Sequence, residues 1–457
     1  MQRPAEILNV ANELKSDDAL TRRVQRIAQL PGIAGPIVCL PDLHLKKRME
    51  APSSLATAVE GHIVPDLSSC SLNCGMGLIA CGINGQDLTI RRLAGLVDAF
   101  RTSVHSSLWD LNQHELFDVA QRGISAVTAK YGHDDSVAQH VENGGAFAAD
   151  PAAMDELLRA ARQLVPDGWT SRLGTGIGGN HFVEIQTVKK VHDRSFASQW
   201  GLSEGQVVVM YHGGGGPLAG FMGRYFANRI KDSARRRARL FAYKLLYHFR
   251  DAKGWAHLAS RLKYFSPVRF THMRETDPET ARLLTSISAG MNYGYAYRMA
   301  MVSRIMWAVN DVLGGSTPTT LVYDASHNSI QSETVGHRKL WVHRHNSCKI
   351  EPGRPLLVPG HHYAQSYLAV GGAHADRFLN SAPHGLGELV AADRKQGAST
   401  VRGQATLRFN NWEKEGVSVP HIHSASVERA FAEMEDLQLL RRTVELCPVA
   451  VLKDFRG

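Results

Sequence analysis

Apolar and polar positions along the chain change period repeatedly, and the changes mark short strands set between helices. From Leu88 to Phe100 the apolar residues recur at helical spacing, which predicts an amphipathic helix. A longer helical stretch covers Gly220 to Arg250 and carries Arg235, Arg236, Arg237 and Arg239. That run reads either as a solvated face or as a stripe for an RNA backbone. Asp277-Pro278-Glu279 is a helix start, an N-cap acid followed by proline in the first turn. The helix it opens is predicted to run through Met291 and Trp307 to Leu313, with Gly314 as its stop. Alternation predicts strands at Phe182 to Thr187, Gln206 to Tyr211, Thr320 to Tyr323 and Pro355 to Val358. No repeat, low-complexity tract or linker interrupts the series.

The strand ends carry the chemistry. Gly179-Asn180-His181 leads into the first strand, and His212 ends the second, followed by Gly213 to Gly216. Asp324-Ala325-Ser326-His327-Asn328 follows the third, and Pro359-Gly360-His361-His362 the fourth. One such histidine reads as structural; four at equivalent places point to a shared site on a rigid frame. Cys74 stands in the glycine-flanked turn Ser71-Leu72-Asn73-Cys74-Gly75-Met76-Gly77. It is either a small buried residue or, with His181, His212 and His327, a ligand for zinc or a manganese-like ion. The glycine-rich run Leu173 to His181 looks superficially like a dinucleotide fingerprint. It opens into a strand rather than a helix, so a Rossmann loop is rejected and a phosphate-cradling or close-approach loop is kept. Ser381-Ala382-Pro383-His384-Gly385 sets a histidine in a small-residue loop, where it can serve as a nucleophile toward phosphorus, an acid/base or a structural group.

Composition narrows the setting. Histidine occurs 22 times in 457 residues, an excess that suits metal, proton or phosphoryl chemistry. Charge is +9, which favours polyanionic partners, nucleic acid first. No apolar run approaches the roughly 18 residues of a membrane span. The opening Met1-Gln2-Arg3-Pro4-Ala5-Glu6 lacks the apolar core of a signal peptide. Six cysteines, three of them at Cys70, Cys74 and Cys81, do not make a disulfide scaffold. The expected compartment is reducing and cytoplasmic.

In order, these pieces resemble the RtcB-type RNA-splicing ligase family, from about Leu30 to Lys453. The resemblance rests on Leu40-Pro41-Asp42-Leu43-His44, Cys74-Gly75-Met76 and Gly179-Asn180-His181-Phe182-Val183-Glu184. It continues through His212 with its glycine tail, Met291-Asn292-Tyr293, His327-Asn328, His343-Arg344, Pro359-Gly360 and Ser366-Tyr367. It closes on His384-Gly385-Leu386-Gly387 and Pro448 to Lys453. The resemblance implies an α+β fold, one large RtcB-like domain over residues 1–457 with a central β-rich core and surrounding helices. It implies an enzyme that uses GTP and manganese, one or two ions, to join RNA 3′-phosphate or 2′,3′-cyclic phosphate ends to 5′-hydroxyl ends. His384 would be the guanylylated nucleophile, and Cys74, His181, His212 and His327 the metal ligands. Asn180, Phe182 and Glu184 would lie against the guanine nucleotide, with Lys453 reaching the base. Some members of the family require an accessory activator.

The chain departs from the family pattern at the cations and at one metal ligand. Ser71 stands where the family has a ligating aspartate, so one metal site is expected to be weaker; Asp66 is the nearest carboxylate upstream. Gly216 and Glu388 replace arginines suited to phosphate. Candidate replacements are Lys46, Lys47 and Arg48, with His345, His361 and His362. These departures keep two rivals in play. One is a relative that binds RNA ends or nucleotide without sealing them. The other is a metal-dependent RNA phosphoesterase in which the same histidines activate water.

Overall fold

The computed structural model describes residues 5 to 456, apart from 11–13, 15–16, 47–48, 70, 104–106, 149–153, 155–172, 175, most of 217–253, 266–269, 315–316, 398, 402–404 and 411–415. The Arg235 to Arg239 run, Lys47 and Arg48 lie outside the described residues. The architecture is α+β. A nine-stranded sheet has the order Leu356–Val358, Ser366–Gly371, Leu440–Arg456, Gly176–Val191, Gln206–Gly213, Gly75–Asn84, Thr319–Ser326, with Thr406–Asn410 and Val417–Val419 branching from Leu440–Arg456. A second, five-stranded sheet runs Ile7–Asn9, Ile33–His44, Ser53–Val59, Arg338–His345, Asn328–Val335.

The central strands are apolar on both faces because both are covered. Along Gly75–Asn84, Ile79 and Cys81 face a core built on the long helix, while Met76, Leu78 and Ala80 face the other core. Gln206–Gly213 divides the same way, with Val207, Val209 and Tyr211 on one side and Val208 and Met210 on the other. The long helix is Pro278–Leu313, as the sequence predicts. The Asp277 carboxylate accepts the Glu279 N–H, Pro278 occupies the first turn, and Gly314 ends the helix at φ 104°. It is buried nearly all round, which is why its apolar pattern has no single stripe. The predicted helix at Leu88 to Phe100 is found at Ile90–Ser103. No helix among the described residues is long and apolar enough to cross a membrane.

Two expectations are corrected. The glycine-rich run before His181 is strand rather than loop from Gly176 onward, where it pairs with Arg456 of the last strand. Consequently His181 lies inside a strand rather than at its entrance. His212 likewise lies within Gln206–Gly213. His327 has the more unusual place: Thr319–Ser326 ends in one sheet, Asn328–Val335 begins in the other, and His327 is the single residue between them.

Candidate metal and nucleotide site

The segment Asn73 to Gly77 shows why its residue types are needed. Asn73 takes a left-handed conformation, φ 50°, and accepts from the buried Arg298 guanidinium through both its carbonyl and its side chain, the latter at 3.0 Å. A Cβ on Gly75 would lie 2.6 Å from Arg298 Cζ, and one on Gly77 would overlap the Tyr211 hydroxyl. Both glycines therefore make room for a polar layer under the strand. In that layer Arg298 donates to both Asp324 oxygens, at 2.9 and 2.6 Å, and Tyr211 donates to Asp324 at 2.6 Å. A buried ion pair of this kind stabilises little on balance, but losing one partner strands the other charge. It therefore fixes Asn73, and with it the turn that presents Cys74.

Cys74 Sγ lies 3.3 Å from His181 Nε2 and 3.3 Å from His212 Nε2. His212 Nε2 lies 3.0 Å from His327 Nε2. His212 Nδ1 donates to the Asn180 carbonyl at 3.1 Å, so its proton is there and the Nε2 lone pair faces the cluster. The His327 backbone is held from both sides, its N–H by the Cys74 carbonyl and its carbonyl by the Ser347 N–H, each at 2.9 Å. The neighbouring Ser326 N–H donates at 2.7 Å to the fully buried Glu142, which also receives Gln331 and Tyr295. Cys74, His212 and His327 offer donor atoms all within 4.8 Å of one another, close enough to share a first-row cation, whereas His181 stands outside that group and approaches it at Cys74. Bonds of about 2.0–2.3 Å in a tetrahedron put neighbouring donors roughly 3.3–3.7 Å apart. The His327 Nδ1 has no hydrogen-bond partner among the described residues, so no contact there competes for the ring's orientation.

Burial makes the cluster neutral before a cation arrives. It pushes the Cys74 thiol up to about 11, against the pull of Arg298 and Lys46. It lowers His181 to about 4 and holds His212 and His327 well below the ordinary histidine range. A cation entering this site displaces the thiol proton. No carboxylate joins Cys74, His212 and His327 among the described residues. At position 71, the Ser71 carbonyl accepts the Asn328 side-chain amide at 3.2 Å. Asp66 is turned elsewhere: it accepts the Phe270 N–H at 2.8 Å.

His384 sits beside this cluster. The strand Ser381–Pro383 pairs with Ser347–Lys349 and delivers it, partly open, with its ring 4.7 Å from His327 and 6.4 Å from His212. Buried Arg344 ties that strand down, donating to Ser381 Oγ at 2.9 Å and to the Leu379 carbonyl at 2.8 Å. Burial, then the charges of Lys46 and His44, push His384 down to about 3, so the ring is neutral with a free lone pair.

The candidate nucleotide residues share one sheet region. Glu184 pairs with Val451 and Phe182 with Lys453 across adjacent strands, while the Phe182 ring packs edge-on to His212 at 5.7 Å. Asn180 is exposed at the same strand. Burial raises Glu184 to about 7, opposed by a hydrogen bond from Gln186 and by Lys453.

Among the described residues, the histidines expected to replace the lost arginines carry no charge near neutral pH. Burial, followed by nearby positive charge, lowers His345 to about 3, His361 to about 3 and His362 to about 2, so all three are neutral near pH 7. Lys46 is a cation that reaches the site: its charge acts on Cys74, His212, His327 and His384. Glu388, in the first turn of Gly387–Lys395, acts on both His44 and Lys46. Gly216 has φ 75°, and a Cβ there would lie 2.6 Å from Tyr293 and 2.9 Å from Tyr297. The backbone at position 216 has therefore closed against tyrosines and has no room for a side chain.

Sequence reasoning missed the supports. Arg298, Asp324, Tyr211 and Glu142 carry no motif of their own. The one available signal was an arginine inside the otherwise apolar middle of a long helix.

Comparison with known proteins agrees with this geometry. A family model described as tRNA-splicing ligase RtcB matches residues 23–454. The tRNA-splicing ligase RtcB of Pyrobaculum aerophilum is 27% identical, over 96% of this chain and 92% of that protein. That of Archaeoglobus fulgidus is 26% identical, over 87% and 81%. The RNA-splicing ligase RtcB of Mycobacterium tuberculosis is 27% identical, over 84% and 86%. Matched to one family model over nearly its whole length, the chain belongs to the RtcB family.

Proposed function

We propose that the chain is one RtcB-like ligase domain that seals RNA, joining a 3′-phosphate or 2′,3′-cyclic phosphate end to a 5′-hydroxyl end with GTP and manganese. The observation that carries this reading is the convergence of Cys74, His181, His212 and His327 with the neutral, partly open His384 beside them. A divalent ion would be held by Cys74, His212 and His327, with His181 beside Cys74, and would supply positive charge that neutralises phosphate oxygens and aligns attacking and leaving groups. A second ion binds more weakly, because Ser71 offers no carboxylate.

The His384 ring nitrogen attacks the α-phosphorus of GTP; a P–N bond forms and pyrophosphate leaves. GMP then passes to an oxygen of the RNA 3′-phosphate, which frees the ring. The RNA 5′-hydroxyl attacks the activated phosphorus, its proton is lost, and GMP departs. A cyclic phosphate is first opened by water. Asn180, Phe182, Glu184 and Lys453 hold the nucleotide, with ionised Glu184 accepting from guanine N–H groups. The proposed setting is cytoplasmic, with an accessory activator as a further partner.

The test is sealing itself. Purified protein with manganese and GTP is given RNA bearing a 3′-phosphate and RNA bearing a 5′-hydroxyl, and a joined product dependent on GTP is expected. A second reading, binding without sealing, is favoured by Glu388, whose negative charge acts on Lys46. It predicts RNA retention with no joined product. Phosphate release without GTP would instead identify a phosphoesterase.

A further inference from the structure

Outside the site, the helix Asp18–Ala28 presents a cleft of about 560 Å³ lined by Ala19, Arg22, Arg23, Gln25, Arg26, Gln29 and Leu45. Three arginines and two glutamines line it, and no acid does. Arg23 is held by Glu50, with Nη1 3.0 Å from the carboxylate. Arg22 and Arg26 are exposed and form no ion pair among the described residues. They stand four residues apart, about 6 Å along the axis, on the same face. The helix acids Asp17 and Asp18 are at its N-terminal end, and Asp17 is occupied capping the Ala19 and Leu20 N–H groups.

The cleft is joined to the catalytic residues through one short segment. Leu45 lines it, and the flanking residues are His44, which ends the strand Ile33–His44, and Lys46. In the same strand Asp42 accepts the Leu389 N–H at 3.1 Å, five residues beyond His384. A polyanion lying in the cleft would therefore pass Leu45 and meet Lys46 at the site.

We infer that the Arg22–Arg26 face, continued by Lys46, is the track along which single-stranded RNA lays its phosphates on the way to His384. The occupant follows from the chemistry: exposed guanidinium groups about one turn apart, with the amide donors Gln25 and Gln29 beside them and no acid among the lining residues, suit a phosphodiester backbone rather than an apolar segment. The track also supplies, from the N-terminal helix, the phosphate cations that Gly216 and Glu388 no longer give. The inference rests on the RNA-ligase reading.

The test uses the full chain and the double variant Arg22→Gln/Arg26→Gln. Both positions are exposed on a helix, so folding is expected to hold, checked by the denaturant midpoint. Affinity for a 3′-phosphorylated single strand of about ten nucleotides is measured by anisotropy over a salt series. Each single-strand phosphate contact contributes about 0.7 to the slope of log affinity against log salt, so the slope should fall by about 1.4, with roughly tenfold weaker binding near 0.15 M salt. Labelling by GTP, which needs no RNA, should be unchanged. Unchanged RNA affinity and slope, with labelling intact, would overturn the track and leave the ligase reading standing; the face would then suit an acidic protein instead. Native protein that neither labels nor binds RNA would overturn the reading beneath it. A trinucleotide 3′-phosphate should be insensitive to the double variant, and an equal loss for it would show a general charge effect rather than a track.

Discussion

The inner half of the site and its rim were built under different constraints. The inner half is held from below: Arg298, Asp324, Tyr211 and Asn73 fix the turn at Cys74, and Glu142 fixes the strand switch at His327. Every one of these contacts is buried, and each residue has little freedom to change without stranding a partner. The rim, made of residues 42–46, 359–363 and the helix from Gly387, is partly exposed, and there the chain departs from the family pattern at Lys46, His361, His362 and Glu388. Ligand geometry is over-determined, whereas the charges that meet the substrate are not. On the proposed reading, the candidate ligands and His384 are held by packing, with Ser71 the expected exception, while the charges that would meet the substrate are less constrained.

The largest expected effect lies in the inner half. Cys74→Ala removes the donor shared by His181 and His212. Metal content by mass spectrometry should fall more than about 100-fold in affinity, beyond the 10–100-fold typical of residues that only orient ligands. Retained metal would make Cys74 a packing residue and dissolve the contrast. Next, Arg298→Met strands Asp324 and should destabilise the fold by about 3–5 kcal/mol, read from the denaturant midpoint. A change under about 1 kcal/mol would mean that the polar layer does not hold the site.

Glu184 lies between the two regions. Its carboxyl, raised to about 7, is protonated below that pH and ionised above it. Guanine N–H groups need the ionised form, so GTP affinity should rise as pH passes upward through about 7. Glu184→Gln should flatten that rise and weaken binding about tenfold at pH 8, a charge-assisted hydrogen bond being worth roughly 1.5–3 kcal/mol. A profile that stays unchanged in the variant would place the guanine elsewhere. The smallest effect belongs to the rim. Glu388→Arg returns a cation and should strengthen binding of 3′-phosphorylated RNA by up to about fivefold, as expected of a partly exposed charge. A weakened interaction would show that Glu388 is needed to orient Lys46.

The sequence made the candidate ligands legible because histidines beside strands and a glycine-flanked cysteine are local patterns. The long helix was legible to the residue at both ends, through Asp277-Pro278 and Gly314. The glycine-rich run before His181 misled, since glycine marks flexibility locally while Leu440–Arg456 supplies a partner that extends the strand. The neutrality of His345, His361 and His362 was equally hidden, because it arises from burial and from charges far away in sequence. The Arg298–Asp324 layer showed only as an arginine inside an apolar helix; its partner, 26 residues away in a strand, could not be read from the sequence.

The central claim is that His384 takes up the nucleotide. The most direct measurement incubates native protein and His384→Ala with manganese and GTP labelled at the α-phosphate, followed by acid and hydroxylamine treatment of the denatured protein. The account predicts a covalent label on the native protein, lost in acid as a P–N bond is, and none on His384→Ala. No label on the native protein, or a label that survives His384→Ala, would contradict it.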